Sequence, residues 1–506
     1  MLSKSSLGKH VWLLAILFFA LFIRLWGINH GFPFIFHPDE PAVIRSAMGI
    51  RFDPNPGHFD WPHLQFYLNY GVFFLFIKFR GLLQFLGLQT KISPLFPILW
   101  RDPLVFYAIS RVFSAVLGAV TAIPVFLTVS NLFNRRAAII AAAVFALLPF
   151  HVHTSHYALV DVPMVFWVAW ALYFTSRVYV TGRFWDYALA GLFVGLATAT
   201  KYNGGLFAVM VPLAYVLRVV EKRESITNPS GLSFLISSAA FAGLGFALGT
   251  PYAFLDYKTF LRADSPLGAL WQFKNVGSVD FVTRLAQLVR NLLVKLPDDF
   301  GYAPIIAYFA ALILLVKNKS PKLWLLFLPS LFVLVYVSGF AKTRSHYYMG
   351  IYPFVAAVGG YFADYVYSKL QNVPIWQFLR VVLLTLLLTI PLALSVKDSL
   401  ILSRKDTRVL LYEWLSKNIT VLDYVIYDSD DVAPVLEKFS GNTQHKGLSR
   451  FPPEGSQGYI ILSDSTKTYD FTNRKIVLEL LPNFRPGPRI LVYELTDRPK
   501  VPNESK

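Results

Sequence analysis

The sequence contains no cysteine among its 506 residues. This absence excludes a disulfide framework, thiol catalysis and a cysteine-based zinc site. Charged residues are also scarce: they form 15% of the chain, whereas soluble proteins carry about 25%. The sequence shows no repeat of fixed period and no low-complexity tract. The composition therefore argues against an ordinary soluble protein.

Apolar residues take the place of the missing charges. They form 55% of the chain, and several runs approach or exceed the ~18 residues that predict a transmembrane helix. Basic residues outnumber acidic ones and give a net charge of +17. Because they are dispersed over short loops, they favour contact with anionic lipid over nucleic-acid binding. We predict a polytopic α-helical membrane protein that does not bind nucleic acid.

The apolar runs predict eleven spans, with the N-terminus in the cytoplasm. The predicted spans are 10–29, 104–130, 137–155, 160–180, 186–200, 204–220, 231–251, 302–317, 322–340, 347–367 and 378–397. The basic clusters that define the cytoplasmic side are Arg135 with Arg136, Arg177 with Arg183, Lys222 with Arg223, and Lys317 to Lys322. Alternation then places the loop 252–301 and the C-terminal tail on the external face.

The segment 64–88 is apolar but carries Lys78 and Arg80 near its middle. Aromatic residues with two internal cations are typical of an amphipathic helix in the plane of the membrane. We therefore predict an interfacial or re-entrant helix here. If this segment spanned the membrane, the acidic sites before and after it would lie on opposite faces.

The composition changes near Asp398, where the apolar runs end. The stretch DTRVLLYEWLSKNI has the period of an amphipathic helix, with Asp406 or Thr407 as its cap. The stretches VLDYVIYDS, GYIILSDS, KIVLELL and RILVYEL are typical of strands. The predicted domains are a membrane domain, residues 1–397 with external loops 30–103 and 252–301, and a small external α/β domain, residues 398–506.

Ionisable residues gather on the predicted external face. The motif HPDE, residues 37–40, follows the first span, and carboxylates near hydrocarbon are costly unless they are paired, hydrated or functional. The other candidates are Arg111, Asp161, Lys201 in ATKYNGG, and Arg344, His346 and Tyr347 in RSHYY. Carboxylates accept protons or hold cations, whereas Arg, Lys and His bind phosphate. The combination predicts an acid–base site next to a phosphate site, for a lipid phosphate whose tail stays in the bilayer.

Structural roles are open for most of these residues. Asp161 precedes a Val-Pro pair and is a candidate N-cap of its helix. Lys201 and Arg344 are candidate interfacial anchors, and Tyr347 and Tyr348 fit an aromatic belt. Interfacial hydrogen bonding is expected, rather than metal binding, for three histidines: His151, His153 and His156.

The motifs follow one another in a fixed order. They are HPDE after the first span, FDWPHLQFYL in the next loop, FNRRAAIIAAAVFALLPF, Asp161 and TKYNGG. In order and spacing, residues 8–400 resemble the GT-C glycosyltransferases, and more narrowly the branch of protein O-mannosyltransferases and lipid A aminoarabinose transferases. The resemblance implies a GT-C membrane fold and an inverting glycosyltransferase that takes a sugar from a polyprenyl-phosphate carrier.

The resemblance also implies roles for acidic residues. Asp39 corresponds to the catalytic base, Glu40 stands next to it, and Asp161 matches the second acidic position. Some members bind a divalent metal, so His37 and Glu40 are candidate ligands for Mg, Mn or Zn. Pro41 follows Glu40 where some relatives have a lysine, which puts a phosphate contact at that position in doubt.

Basic residues are expected to bind the phosphate of the donor. Lys201 matches the lysine of the TKYNGG turn, while Arg344, His346 and Tyr347 fall in a region that varies among members. We expect Asp39 to deprotonate an acceptor hydroxyl that attacks the anomeric carbon. Polyprenyl phosphate then leaves as a dianion that Lys201, Arg344 and Arg111 stabilise.

Several questions stay open at this stage. The sugar is not specified, and the acceptor is a protein, a lipid or a glycan. The soluble tail is expected to bind the acceptor or a partner. The alternative function is a transporter or flippase of a lipid-linked glycan, which predicts charges along the middle of several spans and inverted repeats. The ionisable residues gather instead at one face. The predicted location of the protein is the membrane of the cell envelope.

Overall fold

The computed structural model describes residues 4–223, 225–369, 374–439, 443–446, 456–463 and 475–495. The chain divides into two compact units. The membrane unit comprises Met1–Leu25 and Ala42–Asp398, and the second unit comprises Trp26–Pro41 and Ser399–Lys506. The second unit thus includes a segment, residues 26–41, that the sequence analysis assigned to the membrane domain.

Helices dominate the chain, as its apolar composition predicts. The helices up to residue 200 are α1 (Lys4–Leu25), α2 (Asp39–Gly49), α3 (Leu64–Phe85), α4 (Gln89–Ile92), α5 (Leu104–Val120), α6 (Ala122–Leu132), α7 (Arg135–Ala146), α8 (Pro149–Thr154), α9 (Asp161–Val180) and α10 (Phe184–Thr200). Those that follow are α11 (Met210–Lys222), α12 (Pro229–Gly249), α13 (Tyr252–Leu255), α14 (Tyr257–Phe260), α15 (Ala269–Val276), α16 (Phe281–Arg290), α17 (Leu296–Phe300), α18 (Ala303–Asn318), α19 (Pro321–Val337), α20 (Tyr352–Lys369), α21 (Pro374–Leu402), α22 (Thr407–Asn418) and α23 (Ala433–Leu436). Short 3-10 turns cover Pro97–Trp100, Tyr202–Val209, Ser345–Ile351, Asp430–Val432 and Glu437–Phe439, and a π turn covers Asn291–Lys295.

Several of these helices are long and apolar enough to cross a membrane. Within the described ranges they are Leu64–Phe85, Leu104–Leu132, Tyr202–Lys222, Pro229–Gly249 and Arg380–Asn418. Shorter apolar helices are Val11–Leu25, Phe184–Thr200, Ala303–Lys317 and Pro321–Val337. The prediction of a helical integral membrane protein is confirmed, while the number of spans stays a prediction.

One predicted span and the segment 64–88 differ in how far the structure tests them. The predicted span 137–155 is two helices, α7 and α8, because Pro149 begins a new helix and a proline cannot continue the hydrogen bonds of the preceding one. The segment 64–88 forms α3, a continuous helix of 22 residues. Its predicted interfacial position stays a prediction.

Glycines allow α10 and α12 to pack closely. A Cβ added at Gly191 would overlap the carbonyl oxygen of Ser238, and one added at Gly195 would overlap that of Ala242. Gly245 faces α10 in the same way. Small residues at such positions let helix backbones approach in membrane proteins. This contact fixes the axis of α10, which ends directly before Lys201.

We predict that Gly195→Ala lowers the thermal unfolding temperature of the protein in nanodiscs, because its new methyl group collides with backbone that cannot rotate away. Gly243→Ala on α12 is the matched control, since a Cβ there has no atom within 4 Å. The control should be neutral or slightly stabilising. Equal effects of the two substitutions would contradict close packing at Gly195.

The second unit contains a mixed β-sheet. Its strands, in the described part of the chain, are β1 (Tyr424–Tyr427), β2 (Thr443–Lys446), β3 (Gly458–Ser463), β4 (Ile476–Leu480) and β5 (Ile490–Glu494). Their order is β2-β1-β3-β5-β4; β1 pairs in parallel with β2 and β3, while β5 is antiparallel to β3 and β4. Four strands were predicted. The edge strand β2 was missed because its residues, TQHK, are polar.

The segment 26–41 packs onto the second unit. Phe34 is buried in the core formed by α22 and the sheet, and its ring contacts Tyr412 edge-on at 5.1 Å between centroids. The Arg408 guanidinium lies 3.6 Å from the centroid of the Phe36 ring. Asp406 caps α22 by accepting the Arg408 backbone N–H at 2.8 Å, as predicted. The chain that leads to HPDE is therefore held by the C-terminal unit.

Candidate active site

Asp161 and Lys201 form a buried ion pair in the membrane unit. Asp161 is the first residue of α9 and Lys201 follows the last residue of α10. The Lys201 ammonium donates to Asp161 Oδ1 at 2.5 Å. Lys201 is 8% exposed and Asp161 is 5% exposed. The prediction that they lie on one side of the membrane domain agrees with this contact.

The pair corrects two structural interpretations. Val160, not Asp161, occupies the N-cap position of α9, and no side chain caps this end. Asp161 binds Lys201 instead. Lys201 is not an exposed interfacial anchor, because its charge is buried and paired. Removing charges from water in this way is costly unless both partners are well placed.

Tyr347 covers the lysine from the turn Ser345–Ile351. The Lys201 ammonium lies 5.3 Å from the centroid of the Tyr347 ring, which is within the range of a cation–π contact. The His346 ring stands edge-on to the Tyr347 ring at 4.6 Å. Tyr348 is fully buried, and its hydroxyl accepts from Asn291 at 2.6 Å. The aromatic-belt interpretation is therefore wrong for Tyr348.

A cavity of about 450 Å³ opens next to the lysine. Its lining carries the cations Lys201, Lys274 and Arg284 and the carboxylate of Asp60. The other lining residues are Trp61, Tyr202, Asn203, Gln272, Phe273, Val276, Gly277, Ser278, Tyr336, Gly339, Phe340 and Tyr347. The wall carries a net positive charge, and its polar groups are set among aromatic rings, a combination found in ligand sites.

Asp60 is held in the cavity wall by the loop that carries it. His58 Nδ1 bonds to the Asp60 carboxylate, and His58 Nε2 lies 2.8 Å from the Ser46 hydroxyl of α2. Buried His63 bonds to the His58 carbonyl at 2.9 Å, and burial lowers the pKa of His63 to about 4. Tyr202, which follows Lys201, donates to the Phe59 carbonyl at 2.9 Å.

Arg284 and Lys274 reach the cavity from the loop 252–301, which was predicted to be external. This loop is attached to the end of α19 by backbone hydrogen bonds, including Val279 N–H to Gly339 O at 3.0 Å. Asp60, Lys274 and Arg284 were not among the site residues predicted from the sequence, although Asp60 lies in the FDWPHLQFYL motif. Contacts with segments tens of residues away in sequence bring the three residues to one cavity.

An acidic residue near the Tyr347 turn was also missed. Asp299 of α17 is 8% exposed, and burial raises the pKa of its carboxyl group to about 7, although a hydrogen bond from Ser345 opposes the shift. Since Ser345 begins the turn that carries Tyr347, Asp299 stabilises that turn.

Other predicted site residues lie outside the lining of this cavity. Arg111 is buried within α5, Arg344 is exposed and precedes the Tyr347 turn, and His346 contacts Tyr347 from the side. Their predicted phosphate contacts stay predictions.

The three histidines near residue 150 form hydrogen bonds, as expected. Buried Arg24 lies 3.1 Å from His151 Nδ1, and His153 pairs with Asp398 at 2.9 Å. His156 bonds to the Val152 carbonyl at 2.9 Å.

The acidic motif HPDE belongs to the second unit, and its last two residues begin α2. Asp39 and Glu40 occupy the first turn of this helix, where the helix dipole stabilises negative charge. The Asp39 backbone N–H donates to His37 Nδ1 at 3.2 Å, and Glu40 is buried. Among the residues that the structure describes, no three His, Asp or Glu side chains are grouped to hold a metal ion. His37 and Glu40 thus have no third such ligand grouped with them in the described part of the chain, and metal binding by them stays a prediction.

Part of the chain is similar in sequence to known protein mannosyltransferases. Residues 108–255 match the family "Dolichyl-phosphate-mannose-protein mannosyltransferase"; the stretch contains Arg111, Asp161 and Lys201. Dolichyl-phosphate-mannose–protein mannosyltransferase 1 of Saccharomyces cerevisiae is 31% identical over 153 residues, or 29% of this chain. The match spans 18% of the yeast protein, so only part of that relative is comparable.

Solved structures extend the likeness to most of the chain. The oligosaccharyltransferase of Archaeoglobus fulgidus in its apo form covers 90% of this chain and 70% of its own length, with a TM-score of 0.51 and 14% identity. The same protein tethered with an acceptor peptide matches with a TM-score of 0.50, the same coverage and 14% identity. At this identity the likeness shows the fold. Together with the family match, it confirms the GT-C fold and the predicted resemblance to GT-C glycosyltransferases, and it does not favour the transporter alternative.

We predict that Asp161 and Lys201 are energetically coupled. Asp161→Asn or Lys201→Gln alone leaves one buried charge uncompensated, which typically costs about 3–5 kcal/mol. The double variant should lose less stability than the sum of the two single variants, as measured by thermal unfolding in nanodiscs. The exposed pair Lys405–Glu413 is the control and should show coupling below about 1 kcal/mol. Additive effects at Asp161 and Lys201 would contradict a buried ion pair.

Proposed function

We propose that this chain is an integral-membrane glycosyltransferase that moves a sugar from a polyprenyl-phosphate carrier to a hydroxyl acceptor on the external face. The observation that carries the proposal is the cationic cavity of the membrane unit. Three cations and one carboxylate among aromatic rings fit a ligand that combines a phosphate with a hydroxyl-rich group. The match of residues 108–255 to a mannosyltransferase family supports the same chemistry.

The cations of the cavity suit a phosphate. Lysine acts as a point charge and arginine as a fork that binds two oxygens. Within the described part of the chain, Arg284 Nε and Asn203 Nδ2 are buried donors that find no acceptor, although both residues line the cavity. Phosphate oxygens supply acceptors for such donors. Cations held in place before the reaction stabilise the charge that develops on the leaving phosphate.

Asp161 orients the ammonium group of Lys201. The Asp161 carboxylate accepts one N–H of the Lys201 ammonium, so the other N–H groups point away from Asp161. The contact with the Tyr347 ring further limits the orientation of the ammonium. Trp61 and Asp60, which also line the cavity, provide an apolar ring and an acceptor for hydroxyl groups. We assign the phosphate to the cations and the sugar to Trp61 and Asp60.

The proposed reaction is a single displacement. The acceptor oxygen forms a bond to the anomeric carbon while the bond from that carbon to the phosphate oxygen breaks, with inversion. The acceptor proton passes to a carboxylate, and the resemblance assigns this role to Asp39. The polyprenyl phosphate leaves with the bonding electron pair, and the cavity cations balance its charge.

The face and the substrates are part of the proposal. Basic loops such as Arg135–Arg136 favour the cytoplasmic side, which leaves the Asp161–Lys201 pair on the external side. The family description makes a polyprenyl-phosphate mannose the first donor to test. Protein, lipid and glycan acceptors are tested next, and the C-terminal unit is a candidate acceptor-binding surface.

We predict that Asp39→Asn lowers transfer by ~10²–10⁴-fold, because it removes a general base. Wild type and variant in nanodiscs would receive radiolabelled polyprenyl-phosphate sugars with membrane extract as the acceptor, and release of the free lipid phosphate would be measured. Thermal unfolding of both proteins controls for folding. Normal transfer by a folded Asp39→Asn variant would remove Asp39 from the mechanism, and no turnover of any donor by wild type would argue against the proposed function.

We further predict that Arg284→Gln weakens use of the lipid-phosphate donor by about 10-fold or more, because it removes a charge-assisted contact to phosphate. Arg290→Gln is the matched control: it makes the same change on the same helix, α16, at an exposed position outside the cavity lining. Donor concentration dependence would be measured for both variants. Equal behaviour of the two variants would exclude Arg284 as a phosphate contact.

A further inference from the structure

Helix α16 of the external loop has three different surfaces. At about 100° per residue, its exposed apolar side chains Phe281, Val282, Leu285 and Val289 fall on one third of the helix. They are between 47% and 77% exposed. Single exposed apolar residues are common on proteins, but four on one face of a ten-residue helix form a continuous apolar strip.

The other two surfaces differ in character. Thr283, Ala286 and Arg290 are exposed on the adjacent third, which is mostly polar. The remaining third faces the protein: Arg284 lines the cavity, and Leu288 packs against the core of the membrane unit. One helix therefore has a surface that contacts protein, an exposed polar surface and an exposed apolar surface.

The helix lies across the end of an apolar helix. Before α16, the Val279 N–H donates to Gly339 O at 3.0 Å. In its middle, Arg284 packs over Gly339, and after its end, Asn291 Nδ2 reaches Ser338 Oγ at 3.5 Å. Both ends of the helix are thus attached to one short turn that follows α19. A helix of about 15 Å can meet that turn along its length only by crossing the axis of α19.

The helix that α16 crosses has the composition of a membrane helix. Helix α19 is apolar, and outside the cavity lining it exposes Leu328, Phe332 and Val335. A helix that crosses the end of a membrane-embedded helix lies at the level of the lipid head groups. Interfacial helices have this composition: one apolar face and one polar face that carries basic residues. Arg290 supplies a basic residue on the polar face.

We infer that α16 is an interfacial helix whose face formed by Phe281, Val282, Leu285 and Val289 inserts into the lipid surface. Its opposite face carries Arg284 into the cavity. The helix thus forms the wall between the bilayer and the cationic site. The inference depends on the exposed surface and attachments of α16, and it holds independently of the proposed sugar transfer.

The absence of cysteine from the sequence makes a direct test simple. Leu285→Cys places one spin label on the apolar face, and Thr283→Cys, two residues away, is the matched control on the polar face. The full-length protein would be studied in nanodiscs by electron paramagnetic resonance. Accessibility would be measured to oxygen, which concentrates in lipid, and to a water-soluble nickel chelate. Val289→Cys provides a second reading of the apolar face if Leu285→Cys lowers the yield of folded protein.

The expected result is a ratio of oxygen to nickel accessibility several-fold higher at residue 285 than at residue 283. Similar nickel accessibility at both positions would mean that the apolar strip faces water, and it would overturn the inference. Protection of residue 285 from both reagents would mean that protein, such as a second copy of the chain, covers the strip, and this would also overturn it. Thermal unfolding of the labelled proteins confirms that each variant is folded.

Discussion

The arrangement of the membrane unit depends on the buried contact between Asp161 and Lys201. Each side chain alone would carry a charge that is costly to bury, so the start of α9 and the end of α10 must meet within hydrogen-bonding distance. The glycine contacts between α10 and α12 fix the direction of α10. Tyr347 closes the site from a third segment. The lysine is consequently presented to the cavity in one orientation.

The C-terminal unit has a structural role that its position at the end of the chain does not suggest. The segment before HPDE contributes Phe34 to the core of this unit, and Gly27 packs against the backbone at Ser403 with a positive φ that favours glycine. Asp39 follows directly on this segment. The backbone that leads to the acidic motif is therefore set by packing in the second unit, whereas the cations belong to the membrane unit.

The sequence predicted those features that depend on local pattern. Apolar runs gave most helices, and Asp406 was a correct cap because capping involves neighbouring residues. The shared side of Asp161 and Lys201 followed from alternation of the spans. Asp60 and Arg284 were not selected, because their place in the cavity depends on distant contacts such as Asn55 with Asp256. The ion pair of Asp161 with Lys201 was not predicted either, because the two residues are 40 positions apart in sequence.

Backbone hydrogen bonds hold the loop that lines the cavity, whereas side chains give the cavity its charge. The loop 252–301 is joined to the end of α19 by main-chain hydrogen bonds, among them Ala341 N–H to Gly277 O and Lys342 N–H to Val276 O. Such bonds tolerate many side chains, since every non-proline residue carries the same donor and acceptor. The side chains of Lys274 and Arg284, in contrast, place two positive charges in the cavity wall. Substitutions at these two positions can therefore change the charge of the cavity while the loop keeps its attachment, so the fold alone does not determine the chemistry of the cavity.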